Sequence, residues 1–324
     1  MKKVLGMGNA LVDIMTMVPD DSVLTKFNLP KGSMQLIDAD LSKTISEQTA
    51  QFSPKISAGG SSANTIHGLA HLGIPCGFIG KIGTDKMGDM FKSDLEKSGV
   101  KPHLLTSSTA SGRAIAFVTP DSERTFATYL GSAVEMSPEE IAPSIFSQYD
   151  YFYIEGYLVQ NHDLIETAVR VARSQSMKIV LDLASYNVVA ENVEFLHRIA
   201  KDYVDIIFAN EDEAKTFTGK DAEYAVKELA EMCDIAVVKI GKQGSIIRQG
   251  DKEYRVGIID ARCIDTTGAG DLYASGFVFG HAMGYSLDRC GKLGALLSGK
   301  VIENIGAQIP ADVWKEIRKK LASI

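Results

Sequence analysis

What most limits the fold of this chain is the character of its apolar runs. Lys3-Val-Leu-Gly-Met7, Gly77-Phe-Ile-Gly80, Tyr151-Phe-Tyr-Ile154, Ile179-Val-Leu-Asp182, Ile206-Ile-Phe-Ala209 and Ala236-Val-Val-Lys-Ile240 are short and read as strands. Those between 151 and 240 are continuous rather than alternating, as expected of strands buried on both faces. Helical patterns such as Asp163 to Arg173 and Ala222 to Met232 lie between several of them. Strands that alternate with helices predict an α/β fold, a mainly parallel sheet with helices on both faces. At 324 residues the chain is read as one such domain, 1–324, carrying an insertion.

Two segments break the rhythm. Arg113 to Leu130 reads strand–turn–strand around Thr119-Pro-Asp-Ser-Glu123, with no crossover helix. Asp13 to Leu36 has strand-like ends around Asp20-Asp21 and Pro30-Lys-Gly32. The expectation is a small antiparallel sheet, a lid, inserted from segments of about 13–36 and 105–130. It could cover an active site, form a homodimer interface, or do both.

Charge and cysteine usage exclude some partners. The net charge is −7, with no run of Lys/Arg to offset it, which argues against nucleic acid and anionic membrane. Cys76, Cys233, Cys263 and Cys290 form no CxxC pair and read as reduced thiols in a cytoplasmic protein. The apolar N-terminal run is interrupted by Asp13 and lacks a small-x-small cleavage site, so it reads as a first strand, not a signal peptide. No apolar segment approaches the ~20 residues of a spanning helix.

Three glycine-bearing stretches carry the chemistry. Asp265-Thr-Thr-Gly-Ala-Gly-Asp271 precedes a stretch, Leu272 to Met283, that reads as a buried helix. Gly268-Ala269-Gly270 therefore sits at a helix N-terminus, where unpaired N–H groups and the dipole favour an anion and small residues let it approach. Asp271 beside that anion would repel it, but suits a general base for an attacking hydroxyl. The plainer alternative is a capped turn with a favourable acid in its first turn. Ser57-Ala-Gly59-Gly60-Ser61-Ser62-Ala63-Asn64 is a second ligand-type loop leading into a helix, although it also fits a tight turn. Asn9 and Asp13 stand just past the first strand, where open parallel sheets bind ligands, and Asp13 could grip two sugar hydroxyls or merely shape a turn.

These motifs, in this order, resemble the ribokinase-like (PfkB) carbohydrate and nucleoside kinases from Gly8 to about Gly306. Asn210-Glu-Asp-Glu213 is similar to that family's Asn-x-x-Glu, and Lys239-Ile-Gly-Lys-Gln-Gly244 to its nucleotide loop. The resemblance implies a Rossmann-like α/β domain with a β-sheet lid, and transfer of the γ-phosphoryl group of ATP, with Mg²⁺, to a hydroxyl. It implies Asp271 as base and Gly268, Ala269 and Gly270 as anion hole. Glu213 would act on Mg²⁺ through water, because Mg²⁺ sheds water reluctantly. Asn210, Lys239, Gly241 and Gly244 would lie along ATP. Asn9, Asp13, Gly59, Gly60, Asn64 and Glu155 would hold the acceptor. Some relatives hold a monovalent cation behind the anion hole. Asp265, the Thr267 carbonyl and Gly306 match its ligands, so K⁺ is an expectation beside the alternative that Asp265 only braces the turn. Such catalysis works by positioning and charge stabilisation, and the absence of a Walker-type loop leaves the phosphate cradle to the anion hole.

The acceptor is less legible. GNALVDI, Leu29 to Leu36 and Asn210 to Ala214 look like adenosine kinase, whereas Ala63 departs from it. Glu155 looks like ribokinase and fructokinase, where an acid contacts the sugar. A nucleoside pocket would need an aromatic wall, for which Phe117, Phe126 and Met34 are candidates if they are not simply core. The sequence places a small sugar ahead of a nucleoside. A binding protein on a dead kinase fold is disfavoured by the presence of both Asp271 and Glu213. An NAD-dependent dehydrogenase is disfavoured because Leu11 stands where G-x-G-x-x-G needs its third glycine.

Overall fold

The computed structural model describes residues 1–121 and 123–321. Ser122, part of the expected hairpin turn, lies outside the described residues. The chain begins β1 (Val4–Met7), β2 (Leu11–Met17), α1 (Ser22–Lys26), β3 (Met34–Leu36), α2 (Ala39–Thr49), β4 (Lys55–Gly59) and α3 (Ser61–His71). It continues β5 (Cys76–Gly83), α4 (Lys86–Lys97), β6 (Val100–Ser107), β7 (Gly112–Val118), β8 (Arg124–Tyr129) and α5 (Pro143–Phe146). Then come β9 (Tyr151–Glu155), α6 (His162–Ser174), β10 (Lys178–Asp182), α7 (Tyr186–Tyr203), β11 (Ile206–Asn210), α8 (Glu211–Thr218), α9 (Ala222–Met232) and β12 (Ile235–Lys239). It closes with β13 (Ser245–Gln249), β14 (Lys252–Val256), α10 (Ala269–Ala282), α11 (Leu287–Val301) and α12 (Ala311–Lys320).

The large sheet has the order β14-β13-β12-β11-β10-β9-β1-β5-β6. Its strands are parallel from β12 to β6, with β13 and β14 added antiparallel at one edge. The apolar runs become its strands because both faces are covered. One face packs β1, β9 and β11 residues with α3, α10 and α11, the other with α6, α7 and α9. Chain order reverses direction between β1 and β9, which is where an open α/β sheet forms its ligand crevice.

The second sheet has the order β3-β8-β7-β2-β4. Three expectations need correction here. It is mixed rather than antiparallel, since β2 pairs with β7 and β3 with β8 in parallel. The reason lies in how the chain enters it. β2 follows β1 and β7 follows β6 after short links, and β1 and β6 both run parallel to β5, so both chains leave the large sheet in the same direction. Residues 105–107 of the expected lid segment belong to β6 in the large sheet. Segment 13–36 contains the short helix α1, and the unexpected β4 closes the small sheet against β2. The alternation of β4 is short and runs into the glycine loop at Gly59, which masked it.

Helix α10 is buried on all sides from Leu272 to Gly280 and carries small residues on the side that meets α11. A Cβ at Gly276 would stand 2.4 Å from the Leu293 carbonyl oxygen, so only glycine permits this approach. Ser275 Oγ donates to the carbonyls of Thr65 and Asp271, and Thr65 Oγ1 donates to Asp271 O, which locks α3 to the first turn of α10. Among the described residues, no helix is long and apolar enough to cross a membrane.

Candidate active site

The carboxyl edge of the large sheet presents its residues in a row. Glu155 ends β9, Asp182 ends β10, Asn210 ends β11 and Lys239 ends β12. Register places Asp182 opposite Glu155, and Asn210 opposite Lys239. The glycine loop before α3, the turn before α10 and the first residues of β2 converge above this row.

Asp271 lies in the first turn of α10. Its carboxylate accepts from Ser61 Oγ at 2.7 Å and from Asn64 Nδ2 at 2.9 Å. Burial raises its pKa to about 6, and the bonds from Asn64 and Ser61 oppose that rise. Asp13 approaches from β2, and burial together with the Asp271 charge raises it to about 7. The two acids thus titrate near neutrality, the range in which a carboxylate can exchange a proton with a hydroxyl. Gly59 makes room for Asp13: a Cβ there would stand 2.2 Å from the Asp13 carboxyl carbon. Gly60 turns the chain with φ +94°, and its Cβ would strike the Asn9 carbonyl at 2.3 Å. Asn9 is 5% exposed, and its Oδ1 has no hydrogen-bond partner. A buried, unpaired acceptor is a group ready for a ligand donor.

Glu155 faces protein rather than the crevice. Its Oε1 accepts from Asn9 N at 2.8 Å and its Oε2 from Ser62 N at 2.6 Å. It therefore ties the loop after β1 to the start of α3, across the sheet's switch point. Burial raises it to about 7, against the two backbone bonds. Phe117 likewise points away, fully buried in the core behind the small sheet. Phe126 lies on the Asp13 face: β2 and β7 pair Asp13 with Ala114 and Met15 with Ala116, and Ala116 pairs with Phe126. Met34 pairs with Phe126 and is 53% exposed. Met15, Ala116, Val118 and Phe126 form an apolar cluster of their own on this face.

The phosphate side is built around Lys239. Its Nζ lies 3.0 Å from the position of a Gly270 Cβ, directly against the turn Gly268-Ala269-Gly270. It donates to Asp182 Oδ2 at 3.3 Å. Burial presses the ammonium's pKa down, but Asp182, Glu213 and Asp271 outweigh it and hold the pKa above its ordinary value. Gly268 has φ +75° and is the N-cap of α10, so the first N–H groups of that helix face the same space as the ammonium. Asn210 and Glu213 form a capping box. Glu213 accepts from Asn210 N at 2.8 Å and Nδ2 at 2.7 Å, and Asn210 Oδ1 accepts from Glu213 N at 2.8 Å. Burial raises Glu213 to about 7, against the pull of Lys239. Gly241 is open around its Cβ position, with only Glu211 Oε1 near, at 3.9 Å. Gly244 is glycine for another reason, because a Cβ would meet the Val256 carbonyl at 2.0 Å.

Asp265 is 5% exposed. Its Oδ1 accepts from Thr267 N at 2.7 Å and its Oδ2 from Gly306 N at 2.8 Å. Arg124, the first residue of β8, forms an ion pair with it and donates to Thr267 Oγ1 at 2.6 Å and Thr266 Oγ1 at 2.8 Å.

Sequence reasoning missed Asp182, Ser61 and Arg124. The strand-end rule could have found Asp182, since the run Ile179 to Asp182 closes on an acid. Nothing local marks Arg124, whose partners are more than 140 positions away.

Among the described residues, no three His, Cys, Asp or Glu side chains group so as to hold a metal ion by themselves. Asp182 and Glu213 beside Lys239 are a donor pair that would suit Mg²⁺, which keeps most of its waters and binds through one or two carboxylates plus phosphate oxygens.

Residues 31–314 match the family described as pfkB family carbohydrate kinase. The structure is similar to a probable sugar kinase from Rhizobium etli CFN 42, with 34% identity, TM-score 0.90, and 100% of this chain and 99% of that one covered. It is similar to the adenosine kinase from Sinorhizobium meliloti, with 35% identity, TM-score 0.89, and 98% and 99% covered. In sequence it is 26% identical to the adenosine kinase of Saccharomyces cerevisiae, over 94% of this chain and 96% of that protein.

Proposed function

The chain belongs to the pfkB family of carbohydrate kinases, a family of kinases that act on sugars or nucleosides, and we propose that it transfers the γ-phosphoryl group of ATP to a sugar hydroxyl of a nucleoside. One observation carries the choice of acceptor. The face of the small sheet that bears Asp13 continues through the buried Met15 and Ala116 to the half-buried Phe126 and the exposed Met34, which leave an apolar surface next to a polar grip. A free sugar has no use for that surface, whereas a base would cover it while Asp13 and Asn9 hold the ribose. The acid that favoured a free sugar in the sequence, Glu155, has both oxygens occupied by backbone N–H groups.

ATP supplies the phosphoryl group, and Mg²⁺ neutralises charge on its phosphates. Asp13 orients the acceptor by accepting from its hydroxyls, and Asn9 Oδ1 accepts a further one. Asp271, held by Ser61 and Asn64, takes the proton of the attacking hydroxyl. The backbone N–H groups at Gly268 to Gly270, with the Lys239 ammonium beside them, face the negative charge that builds on the transferring group. Charge placed in advance needs no reorganisation during reaction. Asn210 and Glu213 brace each other at the start of α8, and Glu213 would hold Mg²⁺ through one of its waters. Asp265, Thr267 and Gly306 order the turn that presents those N–H groups.

The test is an ATP-consumption screen with Mg²⁺ against adenosine, inosine, ribose, fructose and 2-keto-3-deoxygluconate, with the product's phosphorylated position read by NMR. Turnover confined to nucleosides is expected. Strong turnover of a free sugar would overturn the acceptor assignment, and no ATP consumption with any of them would reject the reading as framed.

A further inference from the structure

The monovalent-cation site expected behind the anion hole does not fit the residues present. A cation there would need Asp265 as its anionic ligand. Both oxygens of that carboxylate already accept backbone N–H bonds, from Thr267 and Gly306, and its charge is matched by the Arg124 guanidinium. The guanidinium also bonds the hydroxyls of Thr266 and Thr267, so three residues of the turn converge on one side chain. A K⁺ ion next to Asp265 would face the fixed positive charge of Arg124 at contact range, which opposes its binding.

We propose that Arg124 is the built-in counter-cation of the anion turn: delivered by the small sheet, it does the work of a monovalent cation, so the protein needs none. Two consequences follow from where Arg124 sits. It opens β8, which lies between β3 and β7 in the small sheet, so the turn's charge is balanced only when that sheet is docked. Thr266 and Thr267 immediately precede Gly268, so the same contact sets the direction of the N–H groups that face the phosphoryl group. Arg suits the role because its planar fork can serve a carboxylate and two hydroxyls at once, and it is never deprotonated.

The inference rests on the kinase reading, so its test includes measurements that need no acceptor. Melting temperature and ADP binding by calorimetry are read for wild type and Arg124→Ala, in K⁺ and in tetramethylammonium at equal ionic strength. Turnover is added with whichever acceptor the screen identifies. Wild type is expected to be indifferent to K⁺ in all three, within about twofold for binding and turnover. Arg124→Ala should lose on the order of tenfold or more in turnover, the scale of losing one stabilising group at an anion hole. Its turnover and melting temperature should then rise with added K⁺ or guanidinium ion. Arg124→Lys, which keeps the charge but not the fork, should fall between the two. A wild type that loses more than about fivefold in ADP affinity or turnover without K⁺, which differential binding to the ordered turn would produce, overturns the proposal. So does an Arg124→Ala protein as indifferent to K⁺ and guanidinium as wild type. Failure of every acceptor would instead count against the kinase reading, and would leave the binding and melting results to judge Arg124.

Discussion

Asp271 and Lys239 show how much of this site depends on charges held out of water. Asp271 is raised to about 6 by burial, and Ser61 and Asn64 keep it from rising further. As a general base it must be ionised to act. The rate at low substrate concentration should therefore climb as pH rises through about 6 to 7 and then level off, with Asp13 broadening the rise because it titrates at about 7 beside Asp271. A profile flat from pH 5 to 8 would remove Asp271 from proton transfer. Asp271→Asn keeps the shape of the side chain but cannot accept the proton. Turnover should drop by ~10³ or more, within the range that general-base and electrostatic terms contribute, while ATP affinity changes little. Retention of activity within about tenfold would reject the assignment. Lys239→Met is expected to act differently. It takes away the ammonium against Gly270, lowering turnover, and it also removes a charge that pulls Asp271 down, so the acid limb of the pH profile should move upward. A lysine that served only packing would not shift that limb.

The two aromatic residues of the β7–β8 hairpin illustrate what a strand's two faces mean for function. Phe117 and Phe126 looked interchangeable in the sequence as walls for a base. In the sheet, Phe117 points into the core and Phe126 to the Asp13 side. Phe117→Ala should therefore cost stability, about 3–5 kcal/mol as for other buried Phe truncations, read as a lower denaturation midpoint. Phe126→Ala should leave the midpoint nearly unchanged and raise KM for a nucleoside by roughly tenfold with kcat preserved, the mark of lost uniform binding. Equal effects on stability from both would mean that Phe126 is core and would weaken the nucleoside reading. This difference also marks the limit of legibility. The main sheet could be read because buried parallel strands announce themselves as continuous apolar runs, and α9 falls on its expected bounds, Ala222–Met232. The glycine loops could be read because positive φ and close approach admit few residue types. The small sheet was legible as a hairpin but not in its pairing. Parallel neighbours such as β2 and β7 lie about 100 positions apart, and their direction depends on the strands that feed them. The inward use of Glu155 and the reach of Arg124 to Asp265 were hidden for the same reason, because each is decided by a partner more than 90 positions away.

At the scale of the whole molecule, the site is a fault in an otherwise well-packed structure. Asp13, Glu155, Glu213 and Asp271 all have pKa values raised by burial, to about 7, 7, 7 and 6. An acid raised in the folded state binds its proton more tightly folded than unfolded. Its contribution to stability is greatest when it is protonated, and it fades as pH rises from the unfolded value near 4 through the folded value. The buried histidines act in the opposite sense. Burial lowers His67 to about 4, so its effect is confined between that value and the ordinary 6.5. A raw melting profile would mix the two, whereas a difference between two proteins does not. Asp13→Asn removes one raised acid while keeping its size. Below about pH 4, where Asp13 is protonated both folded and unfolded, wild type and variant should melt together, and by pH 5 a gap should already have opened, because the unfolded Asp13 is by then ionised. As pH rises to 8 the wild type takes on a charge that its surroundings disfavour, and the variant should become the more stable of the two. The same variant should bind its acceptor poorly, because Asn cannot accept from two hydroxyls as a carboxylate does. A more stable protein that has lost its ligand is the expected signature of strain kept for function. If the melting difference is flat across pH 5 to 8, Asp13 is not held against its preference, and its place opposite Asp271 needs another explanation.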